Sequence, residues 1–126
     1  MKELKIGLDH AIEYKVEDKD SAARVGSGLV DVFATPALIA LCEKTCSQMV
    51  QDCLEPGCVT VGCDVQIKHS APTKIGGVVK CKAQLIGIDG RKLFYRIAVI
   101  EGQKIVALGQ HTRFIVNKEK FLSKLN

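Results

Sequence analysis

One stretch of the chain repeats its apolar residues with the period of a helix, and nearly everything after it repeats them with the period of a strand. That contrast limits the fold more than any single motif. Leu38, Leu41, Cys42, Thr45, Cys46, Met49 and Cys53 recur at intervals of three and four, the stripe of a helix with one face in a core. Ahead of them Thr35-Pro36 offers a hydroxyl suited to N-capping and a proline suited to the first helical position. Glu55-Pro56-Gly57 stops the run, so the pattern predicts one core helix of about five turns.

Alternation takes over downstream. Val61, Cys63, Val65, Ile67 and His69 share one face of a predicted strand, opposite Thr60, Gly62, Asp64, Gln66 and Lys68. The pattern returns in Val79, Cys81, Ala83 and Leu85, then in Leu93, Tyr95, Ile97 and Val99, and last from Val106 to Val116. Asp89-Gly90 and Glu101-Gly102 mark turns between them, and the four strands are expected to form one antiparallel meander. Upstream, Ile12, Tyr14 and Val16 alternate with charged residues as a further strand, Asp18 to Ala23 reads as a connection, and Arg24 to Ala34 as a loop or short helical turn. A strand, one long helix and a run of long strands is an α+β layout, with a curved sheet wrapped on a single helix. That is the hotdog fold. One helix cannot cover every edge of so wide a sheet, so pairing through an edge strand into a homodimer, or a dimer of dimers, is expected.

Size and composition agree with a single domain over residues 1–126. With 126 residues, 47% of them apolar and 25% charged, the folded chain should expose roughly 6,600 Å² and bury about two thirds of its extended surface. The first twenty residues hold no secretory pattern, and the richest apolar stretch, Ala34 to Cys42, is broken by Thr35 and Pro36, too short for a membrane span. A cytoplasmic protein with no membrane association is the expectation. Six cysteines without a metal-type spacing read as reduced, buried, hydrophobe-like thiols; neither metal nor cofactor is called for. A net charge of +4 spread along the chain, with few aromatics, argues against a nucleic-acid surface and suits a phosphorylated small ligand such as a coenzyme A ester.

Three residues are placed where they could do chemistry. Glu43 lies about 100° from the centre of the apolar stripe, between Ile39 and Val50; it reads as a solvated boundary glutamate or as a base or nucleophile in a half-buried setting. His69 ends the inward register just before Ser70-Ala71-Pro72, either a satisfied structural histidine or one reachable by both substrate and water. Thr35 reads as a plain helix cap, or as a hydroxyl beside backbone N–H groups that could hold a developing oxyanion. His111, amid its strand, reads as structural support or a dimer contact, and His10 has no placement argument.

Val32-Phe33-Ala34-Thr35, Glu43 eight residues on, Leu54-Glu55-Pro56-Gly57, His69-Ser70-Ala71-Pro72 and Gly109-Gln110-His111-Thr112-Arg113 together resemble the fluoroacetyl-CoA thioesterase family of hotdog proteins, from about Leu8 to Lys124. The resemblance implies a catalytic set of Thr35, Glu43 and His69, with Gly62, Phe33 and Leu29 at the substrate and an acyl-CoA as partner. The family's fluoroacetate-specific enzyme carries a phenylalanine lid where this chain has Gly26 and Leu29; hydrolysis of another short or medium acyl-CoA is therefore expected. A non-catalytic acyl-CoA binding module and a hotdog hydratase are the competing classes.

Helical rise adds a constraint, because eight residues at ~1.5 Å each separate Thr35 from Glu43 by about 12 Å on one straight helix. One carbonyl cannot touch both. Either the regular helix begins after Thr35, or Thr35 and Glu43 of one site come from different protomers.

Overall fold

A computed structural model describes residues 2–125. In chain order it contains β1 (Asp9–Lys15), a 3-10 turn (Asp18–Asp20), α1 (Ala22–Val25), α2 (Thr35–Gln51), β2 (Cys58–His69), β3 (Val78–Asp89), β4 (Lys92–Glu101), β5 (Lys104–Asn117) and α3 (Lys118–Ser123). The five strands form one antiparallel sheet in the order β1-β3-β4-β5-β2. Helix α2 lies against its concave face, the hotdog arrangement expected of the pattern. Leu38, Leu41, Cys42, Cys46, Met49 and Val50 of α2 pack on Val79, Cys81, Leu85, Leu93, Tyr95, Ile97, Val99 and Val106. Thr45 joins this stripe without leaving a buried hydroxyl unpaired, because its Oγ1 donates to the Leu41 carbonyl at 2.8 Å.

Strand order departs from the expected four-strand meander. Only β3, β4 and β5 follow one another; β2 pairs with β5 at the far edge. The cause lies in residues 70–77, which lack a tight hairpin turn and cross beneath the start of α2 instead. Phe33 N–H donates to the Thr73 carbonyl (2.8 Å), Gly76 N–H to that of Val16 (2.8 Å) and Val16 N–H to that of Gly77 (2.9 Å), tying the crossing to the ends of β1 and of the segment before α2.

The inward face of β2 also differs. The register shifts between Gly62 and Asp64, a bulge that leaves Cys63 without a partner. Thr60 and Gly62 therefore face α2, whereas Val61 pairs with the exposed Phe114. Beyond the bulge Val65, Ile67 and His69 recover the expected face. Four cysteines, Cys42, Cys46, Cys53 and Cys81, are buried and free as expected; Cys58 is half-buried and Cys63 exposed.

The chain alone exposes 7702 Å², more than the roughly 6,600 Å² of a self-contained protein of its mass. Both outer strands, β1 and β2, have one unpaired edge. Among the described residues, no helix is long and apolar enough to cross a membrane.

Candidate active site

Thr35 is the first residue of α2, but it does not cap it. Ala34 occupies the N-cap with no side-chain cap, and Leu38 N–H donates to the Ala34 carbonyl at 2.9 Å. The regular helix thus includes Thr35, which removes the later helix start as an explanation of the Thr35–Glu43 spacing. Ala34 is held from behind, its N–H donating to the Asp20 carbonyl at 2.8 Å. The Thr35 hydroxyl is left free for a tertiary contact, and it lies 2.8 Å from Nδ1 of His69. Among the described residues, the backbone N–H groups of Thr35 and Ala37 make no backbone hydrogen bond, as the first turn of a helix requires.

His69 is the last residue of β2, opposite Ala107. Ser70 N–H donates to the Val106 carbonyl at 2.9 Å, holding the strand end in place. Burial lowers the His69 pKa from its ordinary value, partly opposed by the backbone of Ala71. The ring is therefore a neutral imidazole near pH 7. Its Nε2 is buried and has no partner, an orphaned atom of the kind reserved for a ligand, a water or a moving proton. Thr35 and His69 line a recess of about 310 Å³ together with Ala22, Ser27, Phe33 and Pro72. Phe33 is 1% exposed and tilts against Tyr14, ring centroids 6.2 Å apart. Leu29 stands 97% exposed and does not line this recess.

Glu43 is elsewhere. Its Oε2 sits over Gly62, where a Cβ would come within 2.5 Å of it, and 3.4 Å from Nη1 of Arg113. Gly62 and His69 are seven residues apart on β2, roughly 23 Å at ~3.3 Å per residue. Within one chain the structure joins Thr35 to His69 and Glu43 to Gly62, and it does not join the two pairs.

Sequence periodicity missed the support beneath Glu43. Arg113 is 7% exposed and His111 1% exposed, both facing α2 from β5. Arg113 Nε donates to Thr60 Oγ1 at 2.8 Å, Nη2 to the Thr60 carbonyl at 2.9 Å, and Nη1 approaches His111 Nε2 at 3.2 Å. Alternation counted from Val106 and Leu108 puts positions 111 and 113 on the outward face; the register shift that leaves Val106 unpaired against β4 turns Ala107, His111 and Arg113 inward and leaves Leu108 50% exposed.

The model of the fluoroacetyl-CoA-specific thioesterase family matches residues 16–119. The chain belongs to that family. A fluoroacetyl-CoA thioesterase of Streptantibioticus cattleyicolor is 33% identical over 95 residues, covering 75% of this chain and 68% of the relative. A solved point mutant of the fluoroacetyl-CoA-specific thioesterase superposes with a TM-score of 0.93 at 25% identity, over 99% of this chain and 97% of that one. Another mutant of that protein, solved in complex with acetyl-CoA, gives a TM-score of 0.92 at 25% identity over 97% and 96% of the two chains. A Thermus thermophilus hypothetical protein of the thioesterase superfamily shares the fold at 19% identity, with a TM-score of 0.89 over 99% and 93%. Among the described residues, no group of three or more potential metal ligands is gathered.

Proposed function

We propose that this member of the family is an acyl-CoA thioesterase that hydrolyses short or medium acyl-CoAs as a homodimer, each site combining Thr35 and His69 of one protomer with Glu43 of the other. The observation that carries this reading is the 2.8 Å contact between Thr35 Oγ1 and His69 Nδ1 beside an unpartnered imidazole nitrogen. A hydroxyl paired with a neutral imidazole at the rim of a recess is equipment for acyl transfer.

The free edge of β2 supports the shared site. Antiparallel pairing of two β2 strands about a two-fold axis between Val65 and Gln66 sets Gly62 of each protomer opposite His69 of the other. Glu43, seated over Gly62, then faces the partner's Thr35–His69 pair. The same pairing closes the edge and draws on the surface that the lone chain leaves uncovered.

Hydrolysis in this site runs as follows. The Thr35 hydroxyl and the unbonded N–H groups of the α2 first turn hold the acyl oxygen as negative charge develops on it. Glu43 supplies the attack, directly to give a mixed anhydride or through a water from which it takes the proton. The C–S bond breaks, and the departing thiolate, whose thiol has a pKa near 8.5, accepts a proton routed through His69. Water provides the second oxygen of the free acid, and coenzyme A leaves as the thiol.

A panel of short and medium acyl-CoAs assayed with a thiol reagent and checked by mass tests the reading. Free thiol and free acid should appear together, and Glu43→Gln and His69→Ala should each slow turnover at least about a hundredfold in a dimer that stays folded. Ligand retained without thiol release would identify a binding module, and a hydrated or unsaturated product with the thioester intact would identify a hydratase.

A further inference from the structure

A guanidinium buried between a sheet and the helix packed on it is costly unless its donors are used. Arg113 uses its donors asymmetrically. Thr60 alone takes two of them, one on the hydroxyl at 2.8 Å and one on the carbonyl at 2.9 Å, and this two-point grip fixes the plane of the fork. Nη1 is then aimed at two acceptors, His111 Nε2 at 3.2 Å and Glu43 Oε2 at 3.4 Å.

His111 can serve as an acceptor only in one protonation form. Its Nδ1 lies 2.7 Å from the Asp64 carbonyl, which can only accept, so Nδ1 carries the hydrogen and Nε2 presents its lone pair to Arg113. Burial lowers the His111 pKa, with the Asp64 backbone opposing and Arg113 adding to the shift, so this neutral form holds at pH 7. The groups facing the imidazole are Asp64 of β2, Glu43 of α2, Arg113 of β5 and Tyr95 of β4, whose ring stacks on it with centroids 6.1 Å apart.

The Arg113–Glu43 pair is poorly suited to holding the fold together. The Glu43 side chain is 42% exposed, and exposed ion pairs contribute little to stability. What the contact does is select a direction for the carboxylate. Gly62 leaves the space into which Oε2 lies, since a Cβ there would meet that oxygen at 2.5 Å, His111 Cε1 at 3.2 Å and Arg113 Nη1 at 3.3 Å.

We infer that Arg113 is a positioning residue for Glu43: Thr60 and His111 lock the guanidinium, and the guanidinium locks the carboxylate over Gly62. The inference rests on Glu43 being the attacking group proposed above. Arg113 acts on the reaction through Glu43.

A double-mutant cycle on kcat tests it, using the acyl-CoA of the panel that the wild type hydrolyses fastest. Arg113→Lys should lower kcat about tenfold or more with KM within about threefold, while Arg113→Lys combined with Glu43→Gln should be no slower than Glu43→Gln alone. Losses that multiply in the double variant overturn the inference and leave the catalytic role of Glu43 standing. Near-normal turnover by Glu43→Gln removes the reading on which it rests, and the inference with it. Should Arg113→Lys fail to fold, Thr60→Val decides: it keeps both charged groups, removes one acceptor, and should cost several-fold in kcat, restored by Thr60→Ser. An unchanged kcat in Thr60→Val would overturn the positioning role.

Discussion

Thr35 and His69, 34 residues apart in the chain, meet side chain to side chain at 2.8 Å, and the contact exists because Thr35 is released from capping its own helix. Ala34 takes the capping position, so the hydroxyl one residue later points at the end of β2. A helix start, ordinarily a matter of local hydrogen bonding, here gives its hydroxyl to a contact with the end of a strand.

The hydroxyl of Thr35, more than its methyl group, should matter. Thr35→Val preserves the shape and removes the donor, and is expected to lower kcat at least about tenfold with the thermal midpoint nearly unchanged; Thr35→Ser should stay within a few-fold of wild type. Steady-state kinetics on both variants check this. Equal activity in Thr35→Val and wild type would remove the hydroxyl from the reaction.

Gly62 should resist substitution for a reason of space. Its φ is not positive, so alanine brings no backbone strain, but the added Cβ would occupy the seat of the Glu43 carboxylate. Glu43 is flexible enough to swing away, so Gly62→Ala should fold and lose kcat about tenfold or more. A variant with unchanged kcat would show that the seat over Gly62 is not the working position of Glu43.

Acid should weaken the fold through two histidines, the buried His111 and the half-buried His69. Burial lowers the pKa of both His69 and His111, so between the ordinary histidine value near 6.5 and the folded values the unfolded chain binds more protons than the folded one. Their contribution to stability is present above pH 6.5 and is lost as pH falls through the folded values. Thermal midpoints should decline from pH 7 to pH 5, and the decline should be smaller in His111→Gln. A midpoint independent of pH over that range would contradict the lowered pKa values of the two imidazoles.

The helix over residues 35–51 and the strands were legible because burial on one face imposes a period on each element. Pairing order was not, since alternation says which face is buried and nothing about which strand lies alongside. The clue to the crossing of β2 was the connection over residues 70–77, too long and too poor in hairpin signals for adjacent strands. The bulge at Cys63 was equally hidden: one extra residue turned Thr60 and Gly62 inward in place of Val61 and Cys63, and with them the seat of Glu43. Thr35, Glu43 and His69 were singled out by position and by family resemblance. Their division into two separated pairs within one chain follows from three-dimensional geometry alone; helical rise had set Thr35 and Glu43 about 12 Å apart on one straight helix and left a later helix start or a shared site as the alternatives.

Activity recovered by mixing inactive subunits tests the shared site most directly. Glu43→Gln and His69→Ala chains, co-expressed with different tags or exchanged in solution, form heterodimers in which one site carries both substitutions and the other carries neither. With random pairing, half the dimers hold one intact site, so about a quarter of the wild-type kcat per site should return. Recovery to that level is the result predicted for Glu43 acting across the interface; mixed dimers as inactive as either parent would place Glu43 and His69 of a working site on the same chain.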